Sequence, residues 1–152
     1  VILPSPRGVP FTQSLAQEWA KGDGLIFICN RFEGVDERFI AARQPLEVSL
    51  GDYVLGGGEI AAMVMLEAIL RLVPGVMGKL ESGADESFSP ANDGLLEYPQ
   101  YTRPQSFEGL DIPDVVTGGD HKKLAAWRRA QSESLTQKRR ADLWADFLKR
   151  KK

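Results

Sequence analysis

The segment Glu59–Leu72, EIAAMVMLEAILRL, is apolar almost all the way round a helix and follows three consecutive glycines, Gly56-Gly57-Gly58. A helix of that kind has no face suited to water, so it must lie in a core or in an interface. Whatever fold the chain adopts has to cover it. Pro74-Gly75 ends it, because proline cannot continue a helix and glycine readily leaves one. Upstream, Leu25-Ile26-Phe27-Ile28-Cys29 is a continuous apolar run between Gly24 and Asn30. That pattern predicts a strand buried on both faces, with Cys29 as a small core residue. Val1–Leu3 predicts a short strand ending at Pro4, and Ser5-Pro6-Arg7-Gly8 a turn. Phe11 to Ala20 predicts a helix, with Leu15, Ala16 and Trp19 at helical spacing. Asn30–Gly34 is then a loop, Asp36–Arg43 a short helix, and Glu47–Leu50 leads into Gly51–Leu55. Strands alternating with helices imply an α/β fold.

The second half differs in character. Residues 79–97 are rich in Gly, Asp, Glu, Ser and Asn, which predicts a polar linker. Tyr98–Gly119 is punctuated by Pro and Gly. His121–Ser132 and Arg140–Arg150 predict two helices, the second with Leu143, Trp144, Phe147 and Leu148 on one face. A chain of 152 residues, 43% hydrophobic and 26% charged, can bury a core as one domain with a small helical annex. One cysteine excludes an intrachain disulfide and a Cys-rich zinc site, and fits a reducing cytosol. The longest apolar run, Ile60–Leu66, is far short of a membrane span, and no signal pattern opens the chain. Because it begins at Val1, without Met and inside an apolar segment, the chain is expected to be a fragment of something longer.

A net charge of −2 conceals an asymmetry: residues 1–97 carry 7 basic and 14 acidic side chains, and residues 98–152 carry 12 and 7. A basic end on an acidic body suits a polyanionic partner, nucleic acid first. A solvated helical tail has the same charge pattern, and charge alone does not choose between them.

The chemistry-bearing features are glycine-rich loops near strand ends, where α/β sheets place their ligands. Gly51 and Gly56-Gly57-Gly58 form no GxGxxG fingerprint, and no GxxxxGK[ST] loop exists, so a dinucleotide or P-loop site is not supported. By themselves the three glycines are equally a tight turn. Asn30–Arg38 gathers five charges around Phe32 and Gly34, as a binding rim or a salt-bridged surface turn would. Arg71, near the end of its helix, suits a cap at the negative end of the helix dipole. His121 near a helix start could touch phosphate, but one histidine makes no metal site.

Five stretches in order resemble a known family: Arg31-Phe32-Glu33-Gly34-Val35-Asp36-Glu37-Arg38, Gly51-Asp52-Tyr53-Val54-Leu55-Gly56-Gly57-Gly58-Glu59, Arg71-Leu72-Val73-Pro74-Gly75-Val76, Glu86-Ser87-Phe88 and Tyr101-Thr102-Arg103-Pro104. Together they are similar to the bacterial tRNA (guanine-N1)-methyltransferases, the TrmD family, over essentially the whole chain. The resemblance implies an α/β SPOUT methyltransferase domain whose carboxyl-terminal part forms a deep trefoil knot, followed by a small α-helical domain. Residues 1–80 would be the knotted, cofactor-binding part, 81–97 a flexible interdomain linker and 98–152 the helical tRNA-binding domain. About half of the methyltransferase domain would precede Val1. The implied protein is a cytoplasmic homodimer with active sites at the subunit interface and no membrane association. It would use S-adenosylmethionine to methylate N1 of guanosine at tRNA position 37; a magnesium requirement is assignable to no residue.

Carried over by position, the resemblance places the cofactor on three loops. These are Ser5, Pro6 and Gly8; Asn30, Phe32, Glu33 and Gly34; and Ser49, Leu50, Gly51, Asp52, Tyr53, Val54 and Leu55 with Gly57 and Gly58. Leu50, Tyr53 and Leu55 could frame an adenine slot. The chain departs from the commoner pattern at Asn30, where glycine is usual, at Phe32, where tyrosine is common, and at Ala61, where proline often stands. Arg71 is expected to steady the guanine O6 as charge develops, and Glu86 to act as the base, with Asp85 one residue away as the other candidate carboxylate. No metal ligand is assigned. His121, Arg128, Arg129, Arg139 and Arg140, with Lys138, are expected to meet tRNA phosphates, and Trp127 and Trp144 to pack helices. Two other readings stand beside this one: a SAM- or tRNA-binding fragment without turnover, and a SPOUT methyltransferase of another RNA.

Overall fold

The computed structural model describes residues 1–76 and 85–151. The chain divides into two compact units, Val1–Leu80 and Glu81–Lys152.

The first unit is built on two parallel strands, β1 (Ile2–Pro10) and β2 (Leu46–Ser49), with helices α1 (Gln13–Trp19) and α2 (Glu37–Arg43) between them in sequence and α3 (Gly58–Leu70) after them. The expected strand at Val1–Leu3 continues past the expected turn. Ile2, Leu3 and Pro4 pair with Leu46, Glu47 and Val48, and Val9 pairs with Val48 again. The four residues between, Ser5–Gly8, therefore bulge out of the ladder and are re-aimed away from it. Thr12 caps α1 by accepting the Leu15 N–H at 3.3 Å, and Asp36 caps α2 by accepting the Arg38 N–H at 2.8 Å. Ile2, Ala16, Val48, Met65 and Ile69 form the core, with Leu25, Phe27 and Leu50 packed against it.

Two expectations about Leu25–Cys29, its two-sided cover and a buried Cys29, are corrected here. Leu25–Cys29 is not a strand sealed on both faces. It runs beside β1 through a single bridge, with the Ile2 N–H donating to the Ile26 carbonyl and the Ile28 N–H to the Ile2 carbonyl, both at 2.8 Å. Leu25 and Phe27 meet the core while Ile26 is exposed, so one face is uncovered, and Cys29, beyond the packed residues, is exposed rather than buried. Helix α3, expected in a core or an interface, buries Ala61, Ala62, Met65 and Ile69 and leaves Ile60 59% and Met63 64% exposed, with Val64 and Leu70 beside them. Within the unit the all-apolar helix has only half of the cover it needs.

The second unit contains a hairpin of β3 (Ser106–Phe107) and β4 (Leu110–Asp111), a one-turn helix α4 (Asp114–Thr117), α5 (His121–Arg139) and α6 (Ala141–Arg150). The hairpin went unread within Tyr98–Gly119; its two turn residues, Glu108 and Gly109, both have left-handed backbone at φ 53 and 80, as a two-residue hairpin loop requires. Helix α5 runs seven residues beyond the expected Ser132 because its inner face is carried on by Ser132 and Thr136, both buried, rather than by apolar residues. Phe147 of α6 and Leu95 are the large buried apolar side chains. Asp85–Glu97, in the stretch expected as linker, is folded onto this unit. The Phe88 N–H donates to the Leu95 carbonyl at 3.0 Å and the Leu96 N–H to Thr136 Oγ1 at 2.9 Å. Among the described residues no helix is long and apolar enough to cross a membrane.

Candidate functional site

A cleft of about 220 Å³ opens on the first unit where the bulge within β1 meets the loops that follow the Leu25–Cys29 segment and β2. It gathers fourteen of the sixteen residues expected at the cofactor: Ser5 and Pro6; Asn30, Phe32, Glu33 and Gly34; Ser49, Leu50, Gly51, Tyr53, Val54 and Leu55; and Gly57 and Gly58. Asp52 and Gly8 are not among the lining residues. Gly8 has a different duty: a Cβ there would collide with the backbone of Glu47 and Val48. The returning bulge thus crosses β2 at a distance only glycine allows. Pro4, Arg31, Val48, Gly56 and Ala61 also line the cleft and were not expected. Pro4 and Val48 are the strand residues at the roots of two of the loops, a role visible only once the register of β1 on β2 is known.

The loops are tied to one another by backbone and charge. Arg31 forms an antiparallel bridge with Gly57, the Gly58 N–H donates to the Asn30 carbonyl at 2.9 Å, and Arg31 Nε donates to Glu59 Oε1 at 3.0 Å. Glu59 is held below the usual carboxylate range, first by a backbone N–H at the start of α3 and then by Arg31. A Cβ on Gly57 would strike the Glu59 carboxylate and press on Arg31, and one on Gly58 would lie 3.0 Å from Cys29 Cα. Gly51 takes φ +154, and a Cβ there would meet the Tyr53 ring at 2.8 Å. The bulge is held by Arg7, whose Nε donates to Glu47 at 2.7 Å and whose Nη2 donates to Glu37 at 2.9 Å, raising the Arg7 pKa.

The cleft suits a bent ligand with both apolar and hydrogen-bonding parts on three counts. Gly56 faces open space, so the bent ligand has room at the loop backbone. Asn30 Oδ1 is buried without a protein partner, an acceptor that a ligand amino or hydroxyl group would satisfy. Leu50, Tyr53, Val54 and Leu55 give an apolar wall, with Val54 85% exposed. Phe32 stands at the rim, 98% exposed and at φ 57. A left-handed backbone costs a non-glycine residue about 1–2 kcal/mol. Arg71 occupies the C-cap position of α3, half-buried.

In the second unit, a polar cleft of about 240 Å³ brings together Asp85, Tyr98, His121, Arg128 and Arg129. The Tyr98 hydroxyl donates to the Asp85 carboxylate at 3.3 Å, and the Arg128 guanidinium lies 4.5 Å above the Tyr98 ring. Burial raises the Tyr98 pKa. Glu86 is partly buried, and its carbonyl accepts the Ser89 N–H at 3.2 Å. The expected phosphate contacts divide into two groups. Arg129 is committed to Asp93 and Glu133 at 2.7 and 2.8 Å, and Arg140 to Asp142 at 2.6 Å. His121, Arg128 and Arg139 stand outside any ion pair among the described residues, with His121 and Arg139 exposed. Trp127 lies 6.2 Å from Tyr101 and Trp144 5.1 Å from Phe147, ring centre to ring centre, as packing residues do.

A family model described as tRNA (Guanine-1)-methyltransferase TrmD matches residues 1–146. Among curated proteins, the chain is 63% identical over 145 residues to the tRNA (guanine-N(1)-)-methyltransferase of Nitrobacter winogradskyi, covering 95% of this chain and 59% of the relative. It is 64% identical over 143 residues to that of Nitrobacter hamburgensis, covering 94% and 59%. It is 61% identical over 146 residues to that of Bradyrhizobium diazoefficiens, covering 96% and 56%. The chain thus spans a little under six-tenths of the length of these relatives.

Proposed function

This chain belongs to the tRNA (guanine-1)-methyltransferase TrmD family, and on that footing we propose that it supplies the cofactor cleft and the RNA-binding unit of an enzyme that methylates N1 of guanosine at tRNA position 37. The observation that carries the proposal is the cleft of the first unit. Loops from three distant parts of the sequence converge on one glycine-lined space with an apolar wall and an unsatisfied buried acceptor. The reading extends to the finer features the family brings: a trefoil-knotted SPOUT domain, a cytoplasmic homodimer and S-adenosylmethionine as methyl donor. The exposed apolar face of α3 supports the dimer, because a stripe of Ile60, Met63, Val64 and Leu70 in water needs a partner surface.

When bound, S-adenosylmethionine supplies an electrophilic methyl group on a sulfonium. The chain's residues have the remaining tasks. Leu50, Tyr53 and Leu55 hold the adenine by apolar contact, and the Asn30 carboxamide oxygen accepts from an amino or hydroxyl group. The guanine N1–H is a weak acid at neutral pH, so a base must take that proton while charge gathers on O6. Arg71 is assigned to O6, where a fixed cation offsets that charge. Glu86 is assigned the N1 proton because it holds the family's matched position beside Ser87-Phe88, with Asp85 as the other candidate carboxylate. On the RNA side, Arg128, Arg139 and His121 meet phosphates, while Arg129 ties α5 to Asp93 and Arg140 pairs locally with Asp142.

Titration of the intact polypeptide with S-adenosylmethionine tests the carrying observation. Saturable binding should be lost in Gly57→Val, whose side chain fills the space beside Arg31 and Glu59. Equal affinity in a folded Gly57→Val variant would remove the cleft from the account.

A further inference from the structure

We propose that Thr136 of α5 is a positioning residue for the carboxylate pair Asp85–Glu86, fixing the segment that bears them to the helix that bears the RNA-facing arginines. Thr136 is fully buried beneath the Asp85–Glu97 loop. Its hydroxyl donates to the Ser132 carbonyl at 2.7 Å and accepts the Leu96 N–H at 2.9 Å. A valine would fill the same space, so burial and volume do not explain the hydroxyl; what it adds is a direction, since its lone pair selects Leu96 and no neighbouring amide. From Leu96 the order passes along the loop to the carboxylates in two short steps. The Glu97 N–H donates to Ser87 Oγ at 2.9 Å. The Phe88 N–H donates to the Leu95 carbonyl at 3.0 Å. Ser87 and Phe88 directly follow Glu86. Asn92 braces the same turn by donating its side-chain amide to the Leu95 and Leu96 carbonyls at 3.3 and 3.2 Å.

The chemical consequence concerns the base. A general base works only when held within hydrogen-bond reach of its proton, and misplacement by about 1 Å can cost 10²-fold in rate. Two carboxylates on a polar loop with no fixed root would sample many positions. The Thr136–Leu96 bond gives that loop a buried root and sets which residue of the loop faces which turn of α5. The inference rests on the reading of Asp85–Glu86 as the source of the base, and extends it to a residue that touches neither RNA nor cofactor.

The test uses the intact polypeptide and Thr136→Val, which keeps the shape and removes both hydrogen bonds. Single-turnover methyl transfer should fall about tenfold or more, with the dissociation constants for S-adenosylmethionine and tRNA within about twofold of the parent. Thr136→Ser, which restores the hydroxyl, should recover the rate. Amide exchange of Leu96 should quicken in Thr136→Val and stay slow in Thr136→Ser. Should Thr136→Val prove too unstable to assay, Ser87→Ala, which cuts the next bond in the chain, must show the same loss of rate at unchanged affinity. An unchanged rate in a folded Thr136→Val variant, a loss confined to tRNA affinity, or unaltered Leu96 exchange would each overturn the proposal. An inactive parent protein would instead overturn the methyltransferase reading and the positioning role with it, while the Leu96 exchange still reports on the bond itself.

Discussion

Gly57 and Gly58 are neighbours that answer to different constraints. Gly57 needs to lack a side chain because Arg31 and the Glu59 carboxylate close over it, whereas Gly58 presses on the backbone of Cys29 and Asn30. Gly58→Ala should therefore act on stability first, at about 1–3 kcal/mol for an overpacked site, read as a lower midpoint in urea unfolding. Gly57→Val should act on the ligand. The arginines separate in the same way. Arg129 bonds Asp93 and Glu133 and lies 5.3 Å from the Phe147 ring centre, so Arg129→Ala should cost about 1 kcal/mol of stability. Arg139→Ala should leave the melting temperature unchanged and lower tRNA affinity with a shallower salt dependence. At the carboxylates, Glu86→Gln should slow single-turnover methyl transfer by about 10²-fold or more while leaving both affinities intact, and Asp85→Asn should do much less. The reverse order would transfer the base to Asp85.

Elements show where the sequence was legible and where it was not. The three cleft segments were legible as loops and turns because Gly, Pro and Asn follow apolar runs, a local pattern that survives folding, and their assignment to one cofactor came from the family resemblance. Their meeting at one cleft depended on the bulge in β1, which slides Val9 back onto Val48, and no local pattern encodes that register. Leu25–Cys29 was misread because a continuous apolar run looks the same whether one face or two are covered. Helix α5 was cut short because Ser132 and Thr136 are polar by composition and buried by position. The short helix α6 carries one contribution to the pH dependence. Hydrogen bonding to Arg140 lowers the Asp142 pKa to about 2. A depressed carboxylate contributes stability above its ordinary pKa of about 3.8 and loses that contribution as pH falls toward 2. Melting curves between pH 5 and pH 2 should show a loss to which Asp36, Glu47 and Glu59 also contribute and which is smaller in Asp142→Asn.

At the scale of the molecule, two units divide the work: one holds the glycine-lined cleft, the other a basic helical pair with the carboxylate loop rooted on it. The apolar stripe on α3 places a further demand on the assembly. Met63→Lys with Val64→Lys should convert a dimer of the intact polypeptide into monomers in sedimentation equilibrium, and a dimer indifferent to both changes would put the interface elsewhere. Family membership, the cleft and the basic helices are the supports of the proposed methyl transfer to one RNA base. The most direct measurement is to incubate the intact polypeptide with S-adenosylmethionine and two tRNA transcripts, one with guanosine at position 37 and one with adenosine there, and to map the product by mass spectrometry of nuclease digests. The account predicts N1-methylguanosine at position 37 of the first transcript and no methylation of the second. Methylation at another position, equal methylation of both transcripts, or none in a protein that binds both ligands would contradict it.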